Sequence, residues 1–148
     1  MISYYNSVQG LFISPHKLVY FSPAVLAYSD LSEIRTGIEY HGQSLAISRE
    51  IGDRQGEGNS LGNLGNACDT LGELVGAIEY YEQALKICRE IGDRRGEGNC
   101  LFNMSRSSVR LGMRAKAIQL AKSAFEIFKQ IDNPNAEIVQ RQIEAWQK

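Results

Sequence analysis

At 148 residues, 43% hydrophobic and 22% charged, the chain has the makeup of one ordinary folded domain with enough apolar mass for a substantial core. Its 16 Lys+Arg against 17 Asp+Glu leave a formal charge of −1, which excludes a bulk positive field, so neither nucleic acid nor an anionic membrane surface is expected as a partner. Three cysteines without a CxxC pair and only two histidines exclude a disulfide framework and a structural zinc site, and no metal or cofactor is expected.

Three prolines against fourteen glycines predict long helices punctuated by glycine turns. There is no basic start with a cleavable small-residue site and no 18-residue apolar run, so the expected compartment is the cytoplasm. Residues 1–21 carry almost no periodicity and read as an irregular leader. Ser22-Pro23 is suited to open a short helix through Asp30. Residues 31–53 then have the pattern of the second helix of a hairpin, so 22–52 reads as a degenerate repeat.

From there the chain repeats itself. Residues 38–72 superimpose on 78–112 at an offset of 40, with 20 of 35 positions identical, a period typical of stacked helical units. Arg49-Glu50-Ile51-Gly52-Asp53-Arg54 recurs unchanged as Arg89-Glu90-Ile91-Gly92-Asp93-Arg94, and Gly56-Glu57-Gly58-Asn59 as Gly96-Glu97-Gly98-Asn99. Gly92 is placed to end one helix in the left-handed conformation, and Asp93 to cap the next. Apolar and small residues at three- and four-residue spacing predict antiparallel amphipathic helices over 54–71 with 73–91, and over 94–111 with 113–131. The repeats are thus 53–92 and 93–132. Asn133-Pro134 starts a final helix over 133–148, with Val139, Ile143 and Trp146 as the apolar stripe of a cap.

The pattern of small residues at Gly65, Ala77 and Ala84, with Leu61, Leu64, Cys68 and Tyr81 at larger packing positions, resembles a tetratricopeptide repeat. The next period matches with Ser105, Ala117 and Ala124, and with Leu101, Met104, Ser108 and Ala121. The lengthened period, the stretch 61–66 and the stretch 77–85 are similar to kinesin light chains and to the cell-polarity adaptors that bridge G-protein subunits to the spindle. This resemblance covers residues 31–131. It implies an all-α, right-handed α–α superhelix of about three hairpins plus the C-terminal cap over residues 22–148, and a non-catalytic role in protein–protein interaction.

The candidate chemistry agrees. His16 lies in the leader and His41 falls where the next repeat has Tyr81, so no nucleophile is given a base, and no enzymatic activity is expected. Cys68, Cys88 and Cys100 alternate with Ser108, Ser48 and Ser60 in the neighbouring copies, which marks small packing positions and not reactive thiols. The glycine clusters follow no strand and match no nucleotide-binding spacing.

Asparagine is a mediocre helix former, so a periodic row of it needs a reason. Asn59, Asn63 and Asn66 lie at i, i+4, i+7, and Asn99, Asn103 and Arg106 repeat the row, with Arg110 one turn on. These rows run beside the apolar faces. The resemblance implies that the first helices line a concave groove in which such carboxamides clamp the main chain of an extended peptide. Arg106 and Arg110 add planar donors suited to an acidic side chain or a C-terminal carboxylate. The alternatives for the asparagines are water-facing positions or bonds between successive repeats. Arg54, Arg94 and Arg95 are expected to pair with Glu50, Glu57, Glu90 or Glu97. The expected function is an adaptor or scaffold binding a protein or peptide partner in this groove. The alternatives are a self-assembling module that associates with a second copy through its imperfect N-terminal edge, and a regulatory fragment of a larger multidomain signalling protein.

Overall fold

The computed structural model of the protein describes residues 11–14, 17–20 and 23–148, with side-chain surroundings from Asp30 onward. It comprises two compact units, Met1–Gly37 and Ile38–Lys148.

In the first unit, β1 (Leu11–Ser14) and β2 (Lys17–Tyr20) form an antiparallel pair with Leu11 opposite Tyr20, Phe12 opposite Val19 and Ile13 opposite Leu18. This corrects the irregular reading of these segments. Each strand is four residues long, too short to show a period, yet rich in the aromatic and β-branched residues that pair across strands. Residues 1–10 and the candidates His16 and Ser22 lie outside the described residues. A second correction concerns α1, a single helix over Pro23–Ile51. A break at Asp30 was expected. Between residues 24 and 36 there is neither glycine nor a second proline to stop it.

The second unit is an all-α helical-repeat superhelix. It contains the C-terminal part of α1, then α2 (Arg54–Leu71), α3 (Leu74–Ile91), α4 (Arg94–Arg110), α5 (Arg114–Gln130) and α6 (Asn135–Gln147), and from α2 onward each helix packs on the next. Two complete hairpins result, α2–α3 and α4–α5. The degenerate first repeat contributes one helix and not a hairpin.

The turns follow from the glycines. Gly52, Gly72, Gly92 and Gly112 all have φ between 72° and 81°, a conformation that costs other residues a Cβ clash. Asp53 N–H donates to the Ser48 carbonyl (2.8 Å) and Asp93 N–H to that of Cys88 (2.8 Å), which satisfies one of the orphan carbonyls at each of these helix ends. Asp53 and Asp93 then accept from Gly56 N–H (2.9 Å) and Gly96 N–H (2.8 Å) to cap α2 and α4. Asp132 stands at φ 52° where the preceding repeats have Gly52 and Gly92.

A charged clamp repeats with the turns. The buried Glu57 carboxylate accepts from Arg49 Nε (2.9 Å) and from Arg54, which also reaches Glu90. Glu97 accepts from Arg89 Nε (2.9 Å) and Arg94 Nη1 (2.6 Å). The Arg49 guanidinium, with Arg54, holds the Glu57 carboxyl below the usual carboxylate range against the opposing effect of burial. The expected pairing of Arg54 and Arg94 is present, and it explains why the six-residue turn motif recurs unchanged.

Small residues set how closely the helices meet. Ala77, Ala84, Ala117, Ala121 and Ala124 are fully or almost fully buried with Leu61, Leu101, Phe128 and Val139. Ile47, in α1, is 57% exposed, whereas its equivalents Ile87 and Ile127, in helices on which α2 and α4 pack, are 3% and 6% exposed.

Candidate groove of amide side chains

The caps at Asp53 and Asp93 start α2 and α4 in the same register, so residues 40 apart occupy the same face. Asn59, Asn63, Asn66, Asn99 and Asn103 line one depression of about 230 Å³ between these helices, floored by Gly58, Gly62 and Gly96. A second depression of about 240 Å³ continues it past Asn66 and Asn103 to Asp69, Thr70 and Arg106. Tyr81, from α3, reaches into both.

Six of the seven sequence-derived site residues are therefore brought together. Arg110 is the exception, because it is engaged by the preceding repeat: Nη1 donates to Asp69 Oδ2 (2.8 Å) and to the Asp69 carbonyl (3.1 Å). Ser107 Oγ donates to the other oxygen of the same carboxylate (2.6 Å). Asp69 thus ties α2 to α4.

The amides divide into two sets. Asn66 Oδ1 accepts from Tyr81 OH (2.8 Å) and from Asn103 Nδ2 (3.2 Å), so both its lone pairs are used and only its N–H groups face a ligand. Asn59 Oδ1 accepts from Gln55 Nε2 (3.3 Å). Asn63, Asn99 and Arg106 are exposed and make no side-chain hydrogen bond among the described residues. The inter-repeat alternative thus holds for Asn66 and Asn103, while Asn63, Asn99 and Arg106 are free to bond elsewhere.

Tyr81 orders this arrangement. Its ring lies on α2 at Gly65, where a Cβ would stand 2.5 Å from Cε1, and burial, with the Asp69 carboxylate, pushes its hydroxyl well above the ordinary phenol value. It therefore remains a donor and fixes the Asn66 amide. In the sequence Tyr81 reads only as a packing residue. Asp69 does continue the asparagine row at i+3 from Asn66, but its copy is Val109, so the repeat comparison hides it.

The tetratricopeptide repeat family model matches residues 25–90 and 70–130. A 46-residue segment is 48% identical to human G-protein-signaling modulator 1, covering 31% of this chain and 7% of that protein. Among solved structures, a Signal Transduction ATPase with Numerous Domains (STAND) protein with a tetratricopeptide repeat sensor, from Pyrococcus horikoshii, superimposes with a TM-score of 0.66 at 26% identity, over 72% of this chain and 17% of that one. BtubC (BKLC) from P. vanneervenii superimposes with a TM-score of 0.72 at 21% identity, over 83% of this chain and 52% of that one, a likeness of fold. The chain thus spans a small part of its curated relative and at most about half of these structures. Two overlapping family matches, a repeated two-helix unit and small residues such as Gly65, Ala77 and Ala84 buried between helices agree: the chain belongs to the tetratricopeptide repeat family.

Proposed function

We propose that the chain is an adaptor that holds an extended segment of another protein against the α2–α4 groove, in a reducing compartment such as the cytoplasm. Repeats of this family generally mediate protein–protein interaction and are generally non-enzymatic. The observation that carries the reading is the row of five carboxamides along one depression, with Asn63 and Asn99 unengaged among the described residues. A free carboxamide offers both donor and acceptor to a peptide main chain, whatever its side chains. Arg106, exposed beside Asn103, supplies a cation that makes no ion pair among the described residues, which favours an acidic side chain or a terminal carboxylate at that end. The partial likeness to G-protein-signaling modulator 1 is compatible with a signalling partner.

Peptides selected from a random display library on the full chain test this. Binding is expected to fall at least about tenfold in an Asn63→Ala/Asn99→Ala/Arg106→Ala variant, roughly 1.4 kcal/mol or more, and to weaken when acidic positions of the peptide are neutralised. Equal affinity for the two proteins refutes the groove, and equal affinity for both peptides refutes the electrostatic part.

A second reading, self-assembly through the N-terminal edge, draws on the exposed Tyr40, Ile47 and Ile51 of α1. Light scattering over a concentration series tests it, and a strict monomer opposes it.

A further inference from the structure

The floor of the groove carries two thiols from different helices. Cys88 ends α3 against the first turns of α4, and its Sγ sits so close to Gly96 that a Cβ there would stand 2.7 Å away. Cys100 lies one turn beyond Gly96 on the same face of α4. Helical side chains lean toward the N-terminus, so the Cys100 thiol reaches back over Gly96 to the place where Cys88 Sγ lies. Both residues line the amide-walled depression, and each thiol has the largest effect on the titration of the other. Cys68, buried beside α3, is not among the residues lining that depression.

We propose that Cys88 and Cys100 form a modification site, a dithiol that a low-molecular-weight disulfide such as oxidised glutathione converts to an intrachain disulfide linking α3 to α4. The Cys88 thiolate attacks one sulfur of glutathione disulfide, forming a mixed disulfide and releasing one glutathione thiolate. The Cys100 thiolate then attacks Cys88 Sγ and displaces the second glutathione. The protons of the two cysteines pass to the two departing glutathiones, so two thiols are oxidised and one disulfide is reduced. The order of attack follows from the surroundings. Donation from Cys100 holds the Cys88 thiol below its ordinary value, although burial and the carboxylates of Asp93 and Glu97 oppose this. The same contact, with burial, pushes Cys100 up. Cys88 Sγ also lies 3.9 Å from Asp93 Oδ2.

The preceding repeat supplies the matched control. Ser48 Oγ sits 2.7 Å from the Cβ position of Gly56, and Ser60 lies one turn beyond. Both serines are buried, so serine at both positions is compatible with this packing. The inference does not depend on the groove having a peptide ligand.

Exposing the full chain to excess oxidised glutathione, quenching with N-ethylmaleimide in denaturant and digesting with trypsin without reduction tests it. The expected product is peptide 87–89 joined to peptide 96–106, two hydrogens lighter than their sum, with Cys68 recovered as its maleimide adduct in peptide 55–86. Cys100→Ser is expected to stop at a Cys88–glutathione mixed disulfide, and Cys88→Ser to slow glutathionylation of Cys100 at least about tenfold relative to Cys88 in the first variant. Separate adducts on Cys88 and Cys100 in the unmodified chain overturn the proposal, as does a disulfide that includes Cys68. Faster reaction of Cys100 in the Cys88→Ser variant overturns the assigned order.

Discussion

Substituting Gly65 by alanine probes the contact that orders the groove. In isolation the change favours the helix by about 0.8–1.0 kcal/mol, since alanine has less backbone entropy to lose. Here the new methyl would lie 2.5 Å from Tyr81 Cε1, 2.7 Å from Cδ1 and 3.0 Å from Cζ. The ring cannot swing aside, because it is 2% exposed and its hydroxyl is bonded to Asn66. Overpacking of this kind costs about 1–3 kcal/mol, so Gly65→Ala is expected to destabilise the chain by about 1 kcal/mol. Removing the ring reverses the sign. In a Tyr81→Ala background, itself destabilised by about 3–5 kcal/mol as for other large aromatic truncations, Gly65→Ala should stabilise by about 0.8–1.0 kcal/mol. The two substitutions are therefore coupled by about 2 kcal/mol. The next repeat carries the relaxed pairing, with Ser105 opposite Ala121, both fully buried. Urea unfolding of the four proteins, followed by circular dichroism, measures the cycle. Gly65→Ala stabilising the unmodified chain as much as the Tyr81→Ala chain would refute the reasoning.

Asp132→Gly should raise stability by about 0.5–1 kcal/mol, because it supplies at φ 52° the residue found at the two equivalent turns, Gly52 and Gly92; a lower urea midpoint would contradict this. Asp93→Ala removes the acceptor for Gly96 N–H and should cost about 1 kcal/mol, measured in the same way, with Asp93→Asn retaining most of it. Ser108 Oγ is buried without a hydrogen-bond partner among the described residues, so Ser108→Ala should be neutral or stabilising, by up to about 1–3 kcal/mol. Glu57 has its carboxyl held low by Arg49. Its contribution is therefore present above the ordinary carboxylate value and lost as pH falls through the lower, folded-state value. The destabilisation caused by Glu57→Gln should accordingly be largest near neutral pH and shrink in acid, a trend that urea midpoints across the pH range will show or deny.

The two central hairpins are legible because each boundary is written locally. Gly52 and Gly92 need the left-handed conformation, Asp53 and Asp93 supply the caps, and the recurrence of both at a fixed spacing removes the ambiguity of a single match. The N-terminal region lacks such marks. Its strands are too short for a period, and α1 is continuous because nothing in the sequence stops it. The site was half legible for a similar reason. Helical spacing alone puts Asn59, Asn63, Asn66, Asn99, Asn103 and Arg106 on one face, but spacing does not say which amides are already bonded. That is decided by Tyr81 and Asp69, residues from outside the row or without a counterpart in the next repeat. The pairing of Cys88 with Cys100 was equally hidden, since it depends on Gly96 admitting a thiol from the neighbouring helix.

The extent of the groove follows from what happens to the same row in the last helix. Forty residues beyond Asn99, Asn103 and Arg106 stand Val139, Ile143 and Trp146. In α2 and α4 these positions border a depression. In α6 Val139 is fully buried and Ile143 is 8% exposed, so there the equivalent row is turned into the core. α4 buries apolar residues at other positions, Leu101 and Met104, whose equivalents in α6 are the exposed Arg141 and Glu144. The narrow apolar stripe of α6 packs inward and the charged residues meet water. The ladder of amides is therefore carried by α2 and α4. Each row spans eight residues, a length of about 10 Å at helical rise, enough for about three extended residues of a ligand. A clamp this short holds little main chain, so tight association requires side-chain contacts such as the one offered by Arg106, or several weak sites acting together.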